Sequence, residues 1–433
     1  VAPICVDRLL PIVVVGAGSA GVVVASHLAQ NPDSRVVLID QGDQLGGSSL
    51  LNYMVGTWGM REDYEWHRKF GCTGWDWESA EKAFSMMPDE LHHVDERDAG
   101  EVDKAMVANA LMRDIPMVSQ LHRDVLSGRG VGWTSLTMKN GIRHSVVETY
   151  LPSPENLANL QIRLAAEVDS VVINGVQATG IQLASGEYLE ARGVVLCAGA
   201  LASPVLLRRS GVDRPGVGSG LKNHPSIALS FALSKPSRSQ ICIGASIRES
   251  SSIGIGDINI LSMNFVNHQS QVGSIIGGVM EVTSQGNVEY DPSTRSGKVH
   301  FNSMSTEHDV VVMRETARQV HAYAESLQIN AIAIGALSDD QGMSAEWLGD
   351  ASDEEIDVWA RKQAGVYSHP ACTCVMGSAE NEAAVVNEYG QVIGYENLWV
   401  CDASVLPNLP RANTHLPVVM VANRIGAKLR ELF

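Results

Sequence analysis

The chain has 433 residues, 45% hydrophobic and 19% charged, which supports buried cores in two or three domains and excludes a mostly disordered protein. Lys and Arg number 32 against 49 Asp and Glu, and the net charge of −17 argues against nucleic acid or an anionic membrane as the main partner. No run of about 18 uninterrupted apolar residues predicts a membrane span.

Val1–Leu10 contains Asp7 and Arg8 and lacks the apolar stretch of a signal peptide, so a reducing, cytoplasmic setting is the expectation. The run Leu9–Val15 leads straight into glycines and reads as a first strand. Within it Pro11-Ile12-Val13-Val14-Val15 is apolar and β-branched, the pattern of a buried parallel strand. Gly16-Ala17-Gly18-Ser19-Ala20-Gly21 follows, then a helix-length segment Val22–Gln30, then a second strand Arg35–Asp40. Strand, G-x-G-x-x-G, helix, strand and acid in that order predict a dinucleotide site. Gly16 permits the tight turn, Gly18 lets backbone approach a pyrophosphate, and Gly21 lets helix and strand pack closely. The helix start offers free N–H groups and a positive dipole end to the diphosphate. Asp40, 19 residues after Gly21, stands where an acid accepts hydrogen bonds from a ribose hydroxyl. This unit alone does not separate NAD from FAD.

A second loop of small residues, Gly46-Gly47-Ser48-Ser49, comes next, followed by an aromatic cluster from Tyr64 to Trp77 that reads as core packing. His92-His93 lies in the charge-rich segment Asp89–Asp103, which reads as a solvated face rather than a metal site. Val168–Leu189 alternates apolar and polar residues, with turns at Asn174-Gly175 and Ser185-Gly186, and predicts a β-meander. Gly193–Cys197 predicts another strand, leading through Ala198-Gly199-Ala200 to a helix with Ser203 as its cap and Pro204 at its first position. Strands are expected at Ser262–Phe265, Val279–Val282 and Lys298–Asn302, and a helix over Asp309–Leu327. Near the end, Asn397–Ser404 reads as one more strand with a polar turn, and Val418, Val421, Ala422, Ile425, Leu429 and Leu432 trace a helix with Pro417 in its first turn. The seven cysteines are scattered and make no disulfide framework. Cys372 and Cys374 form a C-x-C pair without the second pair or histidines that zinc needs, so no metal is expected.

Taken together, these blocks resemble the glucose–methanol–choline oxidoreductases, FAD-dependent alcohol oxidases and dehydrogenases. The resemblance rests on the glycine turn, on Gly46–Ser49 with Asn52 and Met54, and on Trp75-Asp76-Trp77. It continues through Arg143 to Tyr150-Leu151-Pro152, Cys197–Ala200 with Ser203-Pro204, and Pro215–Gly218 with Asn223-His224-Pro225. It closes with His369 to Gly377, Asp402-Ala403-Ser404 and Asn413-Thr414-His415. The blocks fall in family order along nearly the whole chain. The implied fold is α/β (α+β overall). A Rossmann-like FAD-binding domain would be assembled from 9–80, 135–225 and 366–433, and a smaller mixed substrate-binding or cap domain from 81–134 and 226–365.

The implied cofactor contacts are Gly16, Gly18, Ser19, Ala20, Gly21, Asp40, Gln41, Gly47, Ser48, Asn52, Met54, Val168, Ala198, Gly199, Asp402, Ala403, Asn413, Thr414 and His415. His369 and His415 match the family's catalytic pair. Oxidising an alcohol removes a hydroxyl proton and sends the carbon-bound hydride to flavin N5. A neutral imidazole accepts that proton near pH 7, and a second one orients the oxygen. His369 is taken as the base and His415 as its partner, with the exchanged assignment open. The helix after His415 would stabilise negative charge on reduced flavin.

Three departures stand out. Cys372 replaces the glycine of the His-x-x-Gly-Thr-Cys block, so an altered backbone is expected there. Leu51 lies near the position of the histidine that carries covalent flavin in some members, so FAD is expected to be non-covalent. The cap region is short, which implies either an open pocket or walls borrowed from a partner, as in a homodimer. The expected substrate is a small-molecule alcohol, with oxygen or another carrier reoxidising the flavin. A flavin-containing lyase of the hydroxynitrile type on the same scaffold is the alternative, and an NAD-binding or non-catalytic Rossmann protein is a third reading.

Overall fold

The computed structural model describes residues 10–88, 91–119, 121, 123, 128–151, 153, 155, 157–267 and 270–433; Val1, Asp7, Arg8, Leu9, Asp89 and Pro152, named above, lie outside them. From the start of that range, β1 (Ile12–Val15) is fully buried and turns into α1 (Ser19–Ala29), whose valines are buried around its circumference. β2 (Val36–Ile39) follows, equally buried. α2 (Glu101–Met112) and β3 (Gly130–Trp133) come next, then β4 (Leu160–Arg163). β5 (Val168–Asn174), β6 (Gln177–Leu183) and β7 (Tyr188–Glu190) form the expected antiparallel meander, with Gly175 and Gly186 taking the left-handed conformation at its two turns. β8 (Gly193–Leu196) leads to α3 (Gly199–Arg209).

The middle of the chain supplies β9 (Pro225–Leu233), β10 (Ala245–Glu249), β11 (Ile258–Met263) and β12 (Val272–Val279). The hairpin of β13 (Gly286–Asp291) and β14 (Ser296–His300), α4 (Glu307–Ala324), β15 (Ala333–Leu337) and α5 (Asp353–Gln363) come after them. β16 (Leu398–Val400) and α6 (His415–Leu432) close the chain.

Two sheets organise these pieces. One is parallel, in the order β16-β8-β1-β2-β4, so its strands come from both ends and the middle of the sequence. The other is antiparallel, in the order β15-β9-β12-β11-β10-β3, with Gly365–Val366 adding a short edge on β9. α4 covers the back of this second sheet. Gly277 permits that close approach, since a Cβ there would lie 2.4 Å from Val320 Cγ2. The Tyr64, Trp66, Trp75 and Trp77 rings pack with one another as core.

Several boundaries differ from expectation, among them three with a physical reason. The strands expected at Ser262–Phe265 and Val279–Val282 begin earlier, at Ile258 and Val272. β11 is buried on both faces and β12 nearly so, and a run without alternation carries no marker of its ends. The helix expected to be capped by Ser203 and to start at Pro204 starts at Gly199, which leaves Pro204 inside it. A proline there removes the N–H that would bond the Ala200 carbonyl. The Thr373 hydroxyl donates to that carbonyl instead, at 2.6 Å. Ser203, inside the helix rather than capping it, accepts from Ala198 N and donates to Asp402.

Candidate active site

The glycine turn is shaped by contacts a side chain would break. Gly16 has φ +104, and a Cβ on it would lie 2.4 Å from the Cys197 carbonyl oxygen. A Cβ on Gly21 would lie 1.8 Å from the Gly16 oxygen, so this residue fixes the approach of α1 to β1. Gly18 is different: a Cβ there would meet nothing within 4 Å, and the residue lines a cleft of about 1290 Å³. Gly18 is also the N-cap of α1 with no side-chain hydrogen bond, so the first N–H groups of the helix remain available to a ligand. Asp40, at the end of β2, accepts from Ala17 N at 2.6 Å and Gly42 N at 2.7 Å, which fixes its carboxylate at the cleft wall.

The second small-residue loop closes over the first. Gly46 N donates to the Ala17 carbonyl at 2.8 Å, and a Cβ on Gly47 would lie 2.8 Å from Gly18 Cα. Arg143 holds this loop from behind, donating to the Ser49 carbonyl at 3.1 Å and Asn52 Oδ1 at 2.7 Å. Opposite, buried Asp402 accepts from Gly199 N at 2.9 Å, from the Ser203 hydroxyl at 2.5 Å and from Ser404 N at 2.8 Å. Its pKa is raised by burial against those hydrogen bonds.

His415 is the first residue of α6, with its Nδ1 3.4 Å from Ser19 Oγ. The segment before it is anchored: Asn413 N donates to Thr57 Oγ1 at 2.9 Å, and Arg411 N donates to the buried Asp63 at 2.9 Å. His369 reaches the same cleft from a loop, where its N–H donates to Asn223 Oδ1 at 2.8 Å. Its ring Nδ1 lies 2.9 Å from Nδ1 of His224, which is completely buried. One of those two nitrogens carries the shared hydrogen, so Nε2 is the nitrogen His369 has left for the cleft. Burial lowers the pKa of His369 to about 4, and burial with nearby Arg143 lowers His415 to about 4. His224 is depressed well below its ordinary value, by burial first and then by His369 and Arg248. All three imidazoles are neutral at pH 7.

Tyr367 packs its ring edge against His369, 5.7 Å between centroids, and Gly278 leaves the space it needs. Ser368 and Met54, both lining the cleft, hold positive φ of 60° and 65°, strain of the kind found where a fold over-determines a site. Cys372 adopts φ +69, a left-handed conformation that favours glycine, and its N–H donates to the Ala403 carbonyl at 3.2 Å. Its buried thiol is pushed up to about 12.

The cleft wall brings together Gly16, Gly18, Ser19, Ala20, Asp40, Gly47, Ser48, Asn52, Met54, Ala198, Gly199, His369, Asp402, Ala403, Asn413, Thr414 and His415. Gly21 stands behind it as a packing residue, Gln41 is exposed beside it, and Val168 is buried at the start of β5; none of the three lines it. His92 pairs with Asp98 and His93 with Ser135, away from the cleft. Sequence reasoning missed the His224–His369 contact and the loop-holding role of Arg143. Both residues stood inside blocks already noted, but contacts across 145 and 91 residues leave no periodic signal.

Two sequence models of the GMC oxidoreductase family match, one over residues 10–226 and the other over 282–422. The chain belongs to the GMC oxidoreductases. It is 27% identical to a mitochondrial choline dehydrogenase of Mus musculus, over 95% of this chain and 88% of the other. It is 26% identical to a 5-(hydroxymethyl)furfural oxidase of Methylovorus sp., over 97% and 98%. The fold matches that of pyridoxine 4-oxidase from Mesorbium loti with a TM-score of 0.86 at 22% identity, covering 98% of this chain and 99% of that one. As a GMC enzyme the protein is an FAD-dependent alcohol oxidoreductase. The residues present suit FAD: a bare helix start, an open face at Gly18 and a fixed acid at Asp40, in a cleft larger than the ~300–1,000 Å³ of ordinary small-molecule sites. Among the described residues no helix is long and apolar enough to cross a membrane.

Proposed function

We propose that His369 takes the substrate's hydroxyl proton at Nε2, and that His415 hydrogen-bonds the same oxygen and orients the carbon. The observation carrying this assignment is the 2.9 Å contact between His369 and buried His224, which commits one ring nitrogen of His369 and leaves the other for the substrate. A low proton affinity keeps the ring unprotonated and ready at neutral pH.

FAD would lie along Gly16–Ala20, Asp40, Gly47–Asn52, Ala198, Gly199, Asp402 and Asn413–His415, and supplies the acceptor for the carbon-bound hydride. Gln41 and Val168 would contribute from outside the wall. The segments 9–80, 135–225 and 366–433 would form the FAD-binding domain, with 81–134 and 226–365 as the substrate domain. We take the flavin as non-covalent, because the loop Gly47–Asn52 carries no histidine, cysteine or tyrosine and its position 51 is an exposed leucine. Relatives named for choline, 5-(hydroxymethyl)furfural and pyridoxine support a small alcohol as substrate.

The test is the visible spectrum of the purified protein, followed by acid precipitation and anaerobic addition of alcohols. Flavin bands that leave with the supernatant and bleach with an alcohol are expected. His369→Gln should keep the flavin and lose about 10²–10⁴ in the bleaching rate. Full activity in that variant overturns the assignment.

A further inference from the structure

The pocket facing His369 and His415 is walled by one face of the antiparallel sheet, and pairing fixes which side chains share it. Ala228, Ile276 and Leu261 form one row across β9, β12 and β11, and Ser230, Ser274 and Met263 form the next. Ile276 is half-buried at the centre, Ile243 stands beside the face, and the mouth carries exposed Leu51, Val366 and Leu337. Ser230 and Ser274 satisfy each other at 2.8 Å.

No carboxylate in these rows reaches the pocket. Of the cleft carboxylates among the described residues, Asp40 and Asp402 are held by backbone N–H groups at the glycine turns. Asp339 accepts from Gln341 N and Met343 N within its own rim turn, and Asp340 is exposed beside it. The aromatic rings on the cleft are Tyr53, exposed, and Tyr367, which packs its edge on His369. These do not make the multi-ring cage that binds a quaternary ammonium. Behind the site, buried Arg248 influences His224 and Tyr367 and Arg143 influences His415, while the carboxylates near Arg248, Asp63 and Asp257, are taken up by Arg411 and Ser251. A cation here would lose its hydration and gain no partner.

Building on the proposed alcohol oxidation, we propose that this pocket takes an alcohol carried on an uncharged, compact apolar body and excludes quaternary-ammonium alcohols, although choline dehydrogenases are among its relatives. The reaction R–CH2–OH to R–CHO sends the hydride to FAD and the hydroxyl proton to His369.

The deciding pair is choline and 3,3-dimethylbutan-1-ol, which have the same shape and differ in the charged nitrogen. Two readouts on the FAD-loaded enzyme are needed: kcat/KM from anaerobic flavin bleaching, and calorimetric binding to enzyme already reduced with dithionite, which cannot turn over. The neutral alcohol is expected to be favoured at least a hundredfold in both. Ile276→Glu, which sets a carboxylate in the central row, should narrow that ratio, and Asp340→Asn should leave it unchanged. Equal or tighter binding of choline overturns the proposal, as does binding of neither alcohol. Binding of the neutral alcohol without bleaching upholds this recognition and counts against the proposed oxidation.

Discussion

Gly18 and Gly21 belong to one motif, yet the structure gives them separable tasks, and a pair of alanine substitutions tells them apart. In Gly21→Ala the new methyl would lie 1.8 Å from the Gly16 oxygen and 3.2 Å from Cys197 Cβ, so α1 must move away from β1 by more than an ångström. Overpacking of this kind costs about 1–3 kcal/mol or more, and the gain in helix propensity returns only about 1 kcal/mol. The obstacle is backbone rather than a flexible side chain, so we take the upper end and expect a net loss of about 2 kcal/mol. In Gly18→Ala the methyl meets nothing within 4 Å, and the residue already has φ −78, which alanine tolerates. The apoprotein should lose less than about 1 kcal/mol, the ordinary difference between glycine and alanine at an N-cap. That methyl points into the space a pyrophosphate would fill, so FAD affinity should fall by at least tenfold. Urea denaturation of the apoproteins, with FAD titration by fluorescence quenching, reads both effects. A Gly18→Ala protein that binds FAD like the parent, or that unfolds as readily as Gly21→Ala, would refute the division of labour.

Thr373→Val should cost about 1–3 kcal/mol in chemical denaturation, because it leaves the buried Ala200 carbonyl above Pro204 unpaired. Adding Pro204→Ala should recover much of that loss by restoring the helical N–H. The apoprotein should weaken in acid: His369 and His415 titrate near 4 when folded and near 6.5 when unfolded, so the unfolded chain gains protons first. Their stabilisation is complete above about pH 6.5 and is lost as pH falls toward 4. The loss by pH 5 amounts to about 1–2 kcal/mol per ring after allowing for the solvent in the cleft. His369→Gln should flatten the pH dependence of the urea midpoint by that amount, and an unchanged slope would contradict it. Arg143→Met frees the Ser49 carbonyl and the Asn52 side chain, and should weaken FAD binding about tenfold in a fluorescence titration while raising the proton affinity of His415 in an NMR titration.

The features legible in the sequence are those whose causes are local. β1, the glycine turn, α1 and Asp40 lie within 29 consecutive residues, and each was identified from its neighbours. The meander announced itself through alternation and two glycine turns. Where the cause is distant, the reading slipped. Nothing near Ser203 says that Thr373 will replace the hydrogen bond Pro204 removes, so the helix start was misplaced. Cys372, standing where the family pattern has glycine, was expected to alter its loop, and it sits at a φ of +69 that most side chains avoid. The surrounding contacts hold that conformation regardless, an outcome set by tertiary structure rather than by residue type. His369 could be matched to a motif, but its orientation depends on His224, which only the folded chain sets beside it.

The parallel sheet places β16, from the far end of the chain, against β8, and α6 lies against α1. The glycine turn proposed to face the diphosphate is therefore translated about 390 residues before the helix bearing His415. Until that helix is made, α1 lacks its covering surface, and β8 keeps an open edge that invites pairing with other chains. A site built from both the early turn and this helix would be complete only once the helix is made. An early halt in synthesis would leave a sticky, colourless fragment rather than a smaller flavoprotein.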